Sequence, residues 1–190
     1  MLAEIGLITT FLAFAAALYA VGASLYGGRR HLDRWVVSAR NAALLTLPLL
    51  LLAAGVLVIA LINGEYQISY VWSVSNPTTP LFYRITALWG SQKGSLLFWS
   101  LLMSLFAAGA LVMNWRSHRR LMPYVIAYTM AMLAFFVGLV LFFENPFQRW
   151  WILPDNSVIE TALIPSCESV GFPNLIVRGE SATCAITPPA

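Results

Sequence analysis

Four stretches of this 190-residue chain carry no charged side chain: residues 5–28, 41–64, 94–115 and 121–143. Each is 22 to 24 residues long, and about 20 helical residues cross the roughly 30 Å hydrocarbon core of a bilayer. Backbone groups in lipid must be hydrogen-bonded within their own segment, so each run predicts a membrane-spanning helix. With 59% hydrophobic and 10% charged residues and a mean hydropathy of +0.76, the chain has too little polar surface to cover a soluble globule. A fifth uncharged stretch, 66–83, holds Asn76, Pro77, Pro80 and several Ser and Thr residues, and reads as loop. The fold class expected is an all-α integral membrane protein of four transmembrane helices.

The arginines predict orientation. Seven of the eleven basic residues fall in two short connections: Arg29, Arg30, Arg34 and Arg40 between the first two spans, and Arg116, Arg119 and Arg120 between the last two. Both connections are therefore expected in the cytoplasm, leaving the N-terminus, the stretch 65–93 and the tail after Phe143 outside it. The first run has no basic residues ahead of it and a basic cluster behind it, unlike a cleaved signal peptide, so it is expected to stay attached. Its Ala- and Gly-rich interior, 13–24, suits close approach of a neighbouring helix. The net charge of +3 is a topology signal and implies no nucleic-acid partner.

Cys167 and Cys184 both fall in the outer tail, where a disulfide between them would persist and contribute about 3 kcal/mol. Around them, 157–164 and 174–177 carry β-branched residues that predict a small extracytoplasmic β-rich cap. His31 and His118 lie among arginines in the cytoplasmic connections, as solvated loop residues. No catalytic constellation, metal-ligand cluster or phosphate loop is recognisable, and no ionisable residue sits mid-span to mark a proton or ion path.

That leaves the outer stretch before the third span, where Tyr70, Trp72, Phe82, Tyr83, Trp89 and Trp99 are interleaved with Arg84 and Lys93. An aromatic belt with snorkelling cations would anchor helices at the interface. A platform for a flat, carboxylate-bearing ring would use the same residue types, with indole faces for the apolar body and cations for the acids. The candidate surface is Arg84, Trp89, Gly90, Lys93, Gly94 and Trp99.

At these residues the chain resembles a family. Trp89-Gly-Ser-Gln-Lys-Gly-Ser-Leu-Leu-Phe-Trp99 is similar to the block Trp-Gly-Gly-His-Glu-Gly-Ser-Leu-Leu-Leu-Trp before the third span of the CcmF/NrfE haem lyases of bacterial cytochrome c maturation. Tyr70-Val71, Ser75-Asn76 and Tyr83-Arg84 ahead of the block match as well, as does Glu144-Asn-Pro-Phe147 after the fourth span. Gln92-Lys93 stands where the family commonly has His-Glu, so the resemblance assigns no haem or metal ligand within the block. Family members are far longer and carry a tryptophan-rich haem-binding segment and ligating histidines elsewhere. The resemblance therefore implies an N-terminal piece of a haem lyase, with residues 1–147 as a four-span bundle and 148–190 as an outer tail.

It further implies haem as cofactor in the complete protein, and a haem chaperone, apocytochrome c and other maturation subunits as partners beside membrane lipid. The place implied is the inner (cytoplasmic) membrane, multi-pass. The reaction implied is thioether formation between haem vinyl groups and the cysteines of a Cys-x-x-Cys-His site, with this piece as scaffold and one wall. The alternative is a structural small subunit of a respiratory or photosynthetic membrane complex.

Overall fold

The computed structural model describes residues 2–76, 78–152 and 158–163. In chain order its elements are α1 (Leu2–Arg30), α2 (Asp33–Asn63), α3 (Ser69–Val74), α4 (Leu81–Thr86), a 3₁₀ turn (Ala87–Trp89), α5 (Gln92–Asn114), α6 (Met122–Phe142), β1 (Arg149–Ile152) and β2 (Val158–Thr161). The four charge-free runs are helical, and α1, α2, α5 and α6 are each long and apolar enough to cross a membrane. They extend beyond the runs where charged residues can reach headgroup level: α1 ends on Arg29 and Arg30, and α2 begins at Asp33.

The helices form a ring, in which α1 packs along α2 and α6, and α5 packs along the same two from the other side. Small residues make the closest approaches. Along α1, Gly6, Thr10, Ala13, Ala17, Ala20, Ser24 and Gly27 are buried at spacings of three and four, which places them on one face. Ala39, Ala43, Thr46, Leu50, Ala53, Leu57 and Ala60 make a similar stripe on α2. Lipid tails are as apolar as these side chains, so the stripes act through close van der Waals packing. Buried hydroxyls close back onto their own helices: Thr10 donates to Gly6 O at 2.7 Å, Thr46 to Ala43 O at 2.7 Å and Ser100 to Leu96 O at 2.8 Å.

At the end away from the arginine-rich connections, α2 stops at Gly64, whose φ of 69° few other residues adopt and whose N–H donates to Ala60 O. The stretch 66–83, expected as loop, holds the short helix α3 and the first three residues of α4. Pro80, at φ −60°, stands immediately before α4, with the dihedral that turn and helix starts require.

Past α6 the chain folds back. The Asn145 carboxamide accepts the Phe147 N–H at 2.9 Å, a local turn that drives the Phe147 ring under α1. Phe147 is fully buried, and a Cβ added at Gly6 would lie 2.1 Å from its ring. Next, β1 pairs antiparallel with β2, Trp150 opposite Glu160 and Trp151 opposite Ile159. Its other edge is taken by the segment before α3, where Ser69 N–H donates to Gln148 O at 2.9 Å and Trp150 N–H to Gln67 O at 3.1 Å. Arg149 pairs with Glu4 of α1 at 3.1 Å and lies 5.0 Å over the Trp151 ring. β2 falls within the 157–164 stretch expected to be β-rich, whereas β1 was not anticipated. The segment 174–177 and both cysteines, Cys167 and Cys184, lie outside the described residues.

Candidate functional site at the mouth of α5

The Trp- and Gly-rich block forms the 3₁₀ turn and the first turns of α5. It is fastened by Tyr70, which is 1% exposed. The Tyr70 hydroxyl donates to Ala87 O at 2.6 Å, with Leu88 O at 3.2 Å. Burial pushes that hydroxyl above its ordinary value of 10.0, so it stays protonated and donates at neutral pH. Gly94 makes the arrangement fit: an added Cβ would stand 2.0 Å from Tyr70 Oη and 2.1 Å from Leu88 O. Gly90 differs, since it is right-handed at φ −77° and its added Cβ would meet nothing closer than 3.4 Å. One glycine of the block is thus demanded by space and the other is not.

The cations are engaged within the chain. Arg84 directs Nε to Thr79 O at 3.0 Å, Nη1 to Ile62 O at 3.3 Å and Nη2 to Asn76 O at 3.3 Å. Its guanidinium therefore ties Asn76 and Thr79 to the C-terminal turn of α2, where exposed carbonyls favour a positive charge. Lys93 Nζ donates to Gln148 Oε1 at 2.9 Å and pairs with Glu160 Oε1 at 3.0 Å. A cation in the first turn of a helix opposes the helix dipole, and Glu160 of β2 offsets it. Burial raises the Glu160 carboxyl, but hydrogen bonds from Ser69 and Lys93 and the Lys93 charge outweigh it and hold the group below its ordinary 4.5.

The aromatics remain open. Trp89 is 51% and Trp99 58% exposed, with Phe98 between them at ring-centroid distances of 5.7 and 6.5 Å. Trp72, Phe82 and Tyr83 are also exposed. A cleft of about 790 Å³ is lined by Gly64, Tyr66, Trp72 and Trp150 and by none of the six candidate residues. Trp150 enters it only through strand pairing with the loop before α3, a tertiary placement without a local sequence signal. Glu160 likewise has no sequence signal as part of this site, and Tyr70, one of the aromatics of the outer stretch, serves as the buried fastener of the turn and not as part of an open platform.

Exposed indoles suit the face of a flat aromatic ligand such as a porphyrin. Iron ligands are a separate requirement: His31 and His118 stand in the turns at the opposite, arginine-rich end, and among the described residues no three His, Cys, Asp or Glu side chains gather. The described residues fit a wall for haem and do not fit a ligand set.

No model of a known protein family matches the chain. Curated proteins do. The chain is 30% identical over 156 residues to the cytochrome c-type biogenesis protein ccl1 of Rhodobacter capsulatus, covering 82% of this chain and 24% of that protein. It is 32% identical over 182 residues to CcmF of Escherichia coli, covering 94% and 28% respectively, and 26% identical over 172 residues to NrfE of Haemophilus influenzae, covering 90% and 27%. Among solved structures, a chain described as cytochrome c haem lyase CcmF superposes with a TM-score of 0.71 at 25% identity, over 77% of this chain and 25% of that one. The chain spans about a quarter of the length of the relatives it matches.

Proposed function

Since the chain belongs to the CcmF/NrfE family of cytochrome c-type biogenesis proteins, we propose that it forms the N-terminal membrane bundle of a haem lyase and presents the mouth of α5 as part of that enzyme's outer working surface. The reaction of the complete lyase joins haem vinyl groups to the cysteines of a Cys-x-x-Cys-His site on apocytochrome c through thioether bonds. Within it, this bundle is scaffold and one wall. Tyr70 and Gly94 fix the 3₁₀ turn on α5, the Lys93–Glu160 pair fixes the folded-back segment beside it, and Trp89 and Trp99 stay uncovered between them. A large exposed indole on the fastened turn, Trp89, with a second on the following turns of α5, Trp99, is the observation that carries the reading.

Sidedness belongs to the same proposal. The arginine-rich connections face the cytoplasm, and the α5 mouth, β1 and β2 face outward on the inner membrane, where apocytochrome c and a haem-delivering protein meet the lyase. Arg84 and Lys93 could take ligand carboxylates only by giving up the contacts described above, so Trp89 and Trp99 are the residues to probe.

A photoreactive phenylalanine analogue at position 89 or 99 of the full-length protein tests this. Irradiation should give adducts with apocytochrome c or a maturation partner, while the same analogue at Met113, exposed near the other end of α5, should give none. Equal adducts from all three positions, or adducts from Met113 alone, would contradict the proposal.

A further inference from the structure

At the arginine-rich end, the four spanning helices and their two connections enclose a cavity of about 470 Å³, within the range of small-molecule sites. Its walls come from all four helix ends: Gly28 and His31 where α1 finishes, Asp33 where α2 begins, Trp115 after α5, and Tyr124 in α6. Arg119 and Arg120 line it from the α5–α6 connection. A Cβ on Gly28 would come within 2.8 Å of Pro123, so α1 and α6 touch at its edge.

The charge here is unspent. Neither Arg119 nor Arg120 makes a salt bridge among the described residues. Asp33 is the one acid in the wall, in the first turn of α2, where the helix dipole favours a negative charge. Behind Trp115, Arg40 stacks at 4.6 Å from the ring centroid, and its buried Nε has no hydrogen-bond partner among the described residues. Two arginines that make no salt bridge with the single acid of the wall, at the level of the headgroups, are the chemistry that takes a phosphate ester.

A second feature lies on the same seam. Higher up, α1 and α6 leave a nearly wholly apolar groove of about 460 Å³, lined by Phe14, Leu18 and Val21 on one side and Ala131 and Phe135 on the other. Tyr124, Tyr128, Ala131 and Phe135 follow at spacings of four, three and four, and Gly28, Val21 and Phe14 at spacings of seven, so cavity and groove share one face of each helix. Seven residues separate Tyr124 from Ala131, roughly 10 Å along the axis. Tyr128, 67% exposed, lies between them.

We propose that the cavity holds the phosphate of an anionic phospholipid between Arg119 and Arg120, with an acyl chain running along the α1–α6 groove. A free phosphate would use the arginines and leave the groove idle.

The full-length protein in nanodiscs, exposed to phosphatidylglycerol carrying a photoreactive acyl chain, tests the proposal, with adducts mapped by peptide. Adducts should fall on the α1 and α6 residues of the groove. Phosphatidylcholine with the same label should give at least tenfold fewer, a comparison that needs no variant. Arg119→Gln/Arg120→Gln, which removes two charge-assisted contacts to the phosphate, should lower the phosphatidylglycerol signal by at least about 30-fold, and Arg29→Gln/Arg30→Gln, which removes equal charge outside the cavity, by less than about threefold. Equal labelling by the two lipids, or equal losses in the two variants, would mean a diffuse basic surface and overturn the site. Absence of groove adducts from phosphatidylglycerol, with inorganic phosphate still binding the protein and that binding lost in Arg119→Gln/Arg120→Gln, would assign the cavity to free phosphate and overturn the lipid.

Discussion

Replacing Gly94 by alanine asks whether the α5 mouth is fastened as described. The new methyl would sit 2.0 Å from the Tyr70 hydroxyl and 2.1 Å from the Leu88 carbonyl. The first neighbour ends a fully buried ring and the second is backbone of the 3₁₀ turn, so neither can swing aside. Overpacking of this kind costs about 1–3 kcal/mol. Pushing the Tyr70 hydroxyl off Ala87 O and Leu88 O removes a buried hydrogen bond, about 1 kcal/mol more. The expected destabilisation is about 2–4 kcal/mol, and Gly90→Ala provides the contrast. Gly90 is right-handed with space around it, so alanine there should be neutral or stabilise by about 0.4–1 kcal/mol. Both are read by denaturant unfolding of the full-length protein in detergent, followed by tryptophan fluorescence. Tyr70→Phe in the Gly94→Ala background should cost less than the sum of the single changes, because the phenyl ring no longer presents the clashing oxygen. Gly94→Ala within 0.5 kcal/mol of the parent, or as mild as Gly90→Ala, would refute the reasoning.

Other consequences can be checked in parallel. Phe147→Ala should cost about 3–5 kcal/mol in the same unfolding assay, since the ring is fully buried against Gly6. The Glu160 carboxyl is held below 4.5 in the folded protein, so the Lys93 pair stabilises above that value and its contribution is lost as pH falls through the lower folded value. Being partly exposed, the pair is worth about 0.5–1 kcal/mol, and the stability difference between parent and Glu160→Gln should be present at neutral pH and vanish in acid. Non-reducing peptide mapping should find Cys167 joined to Cys184, and cysteines placed at Ser38 and Ser117 should resist membrane-impermeant label added outside intact cells.

The spanning helices were legible because their signal is local: a run of 22 to 24 uncharged residues settles the solvent without reference to any other part of the chain. The same holds for the exposed Trp89 and Trp99, which sit where the sequence brought them, at the start of an apolar run. What could not be read depends on distant partners. Phe147 matters because it meets Gly6, and nothing near either residue announces the other. Lys93 looked like a free surface cation until β2 brought Glu160 to it from 67 positions away. Arg84 similarly reaches back 22 positions to the end of α2. β1 lacked a clear alternating pattern because its pairing is set on both edges, by β2 and by the loop before α3. Gly90 and Gly94 were equivalent in the sequence, and only the position of the Tyr70 ring separates them.

Replacing Trp89 and Trp99 together by alanine in the full-length protein, and measuring covalently attached haem in c-type cytochromes against the amount of lyase in the membrane, tests the central claim most directly. Both side chains are more than half exposed, so the variant should insert and accumulate normally. Losing two aromatic contacts of about 0.5–1.5 kcal/mol each should lower maturation by roughly 5- to 150-fold. Normal accumulation with haem attachment at the parental level would contradict the account and leave the α5 mouth as an interfacial aromatic belt.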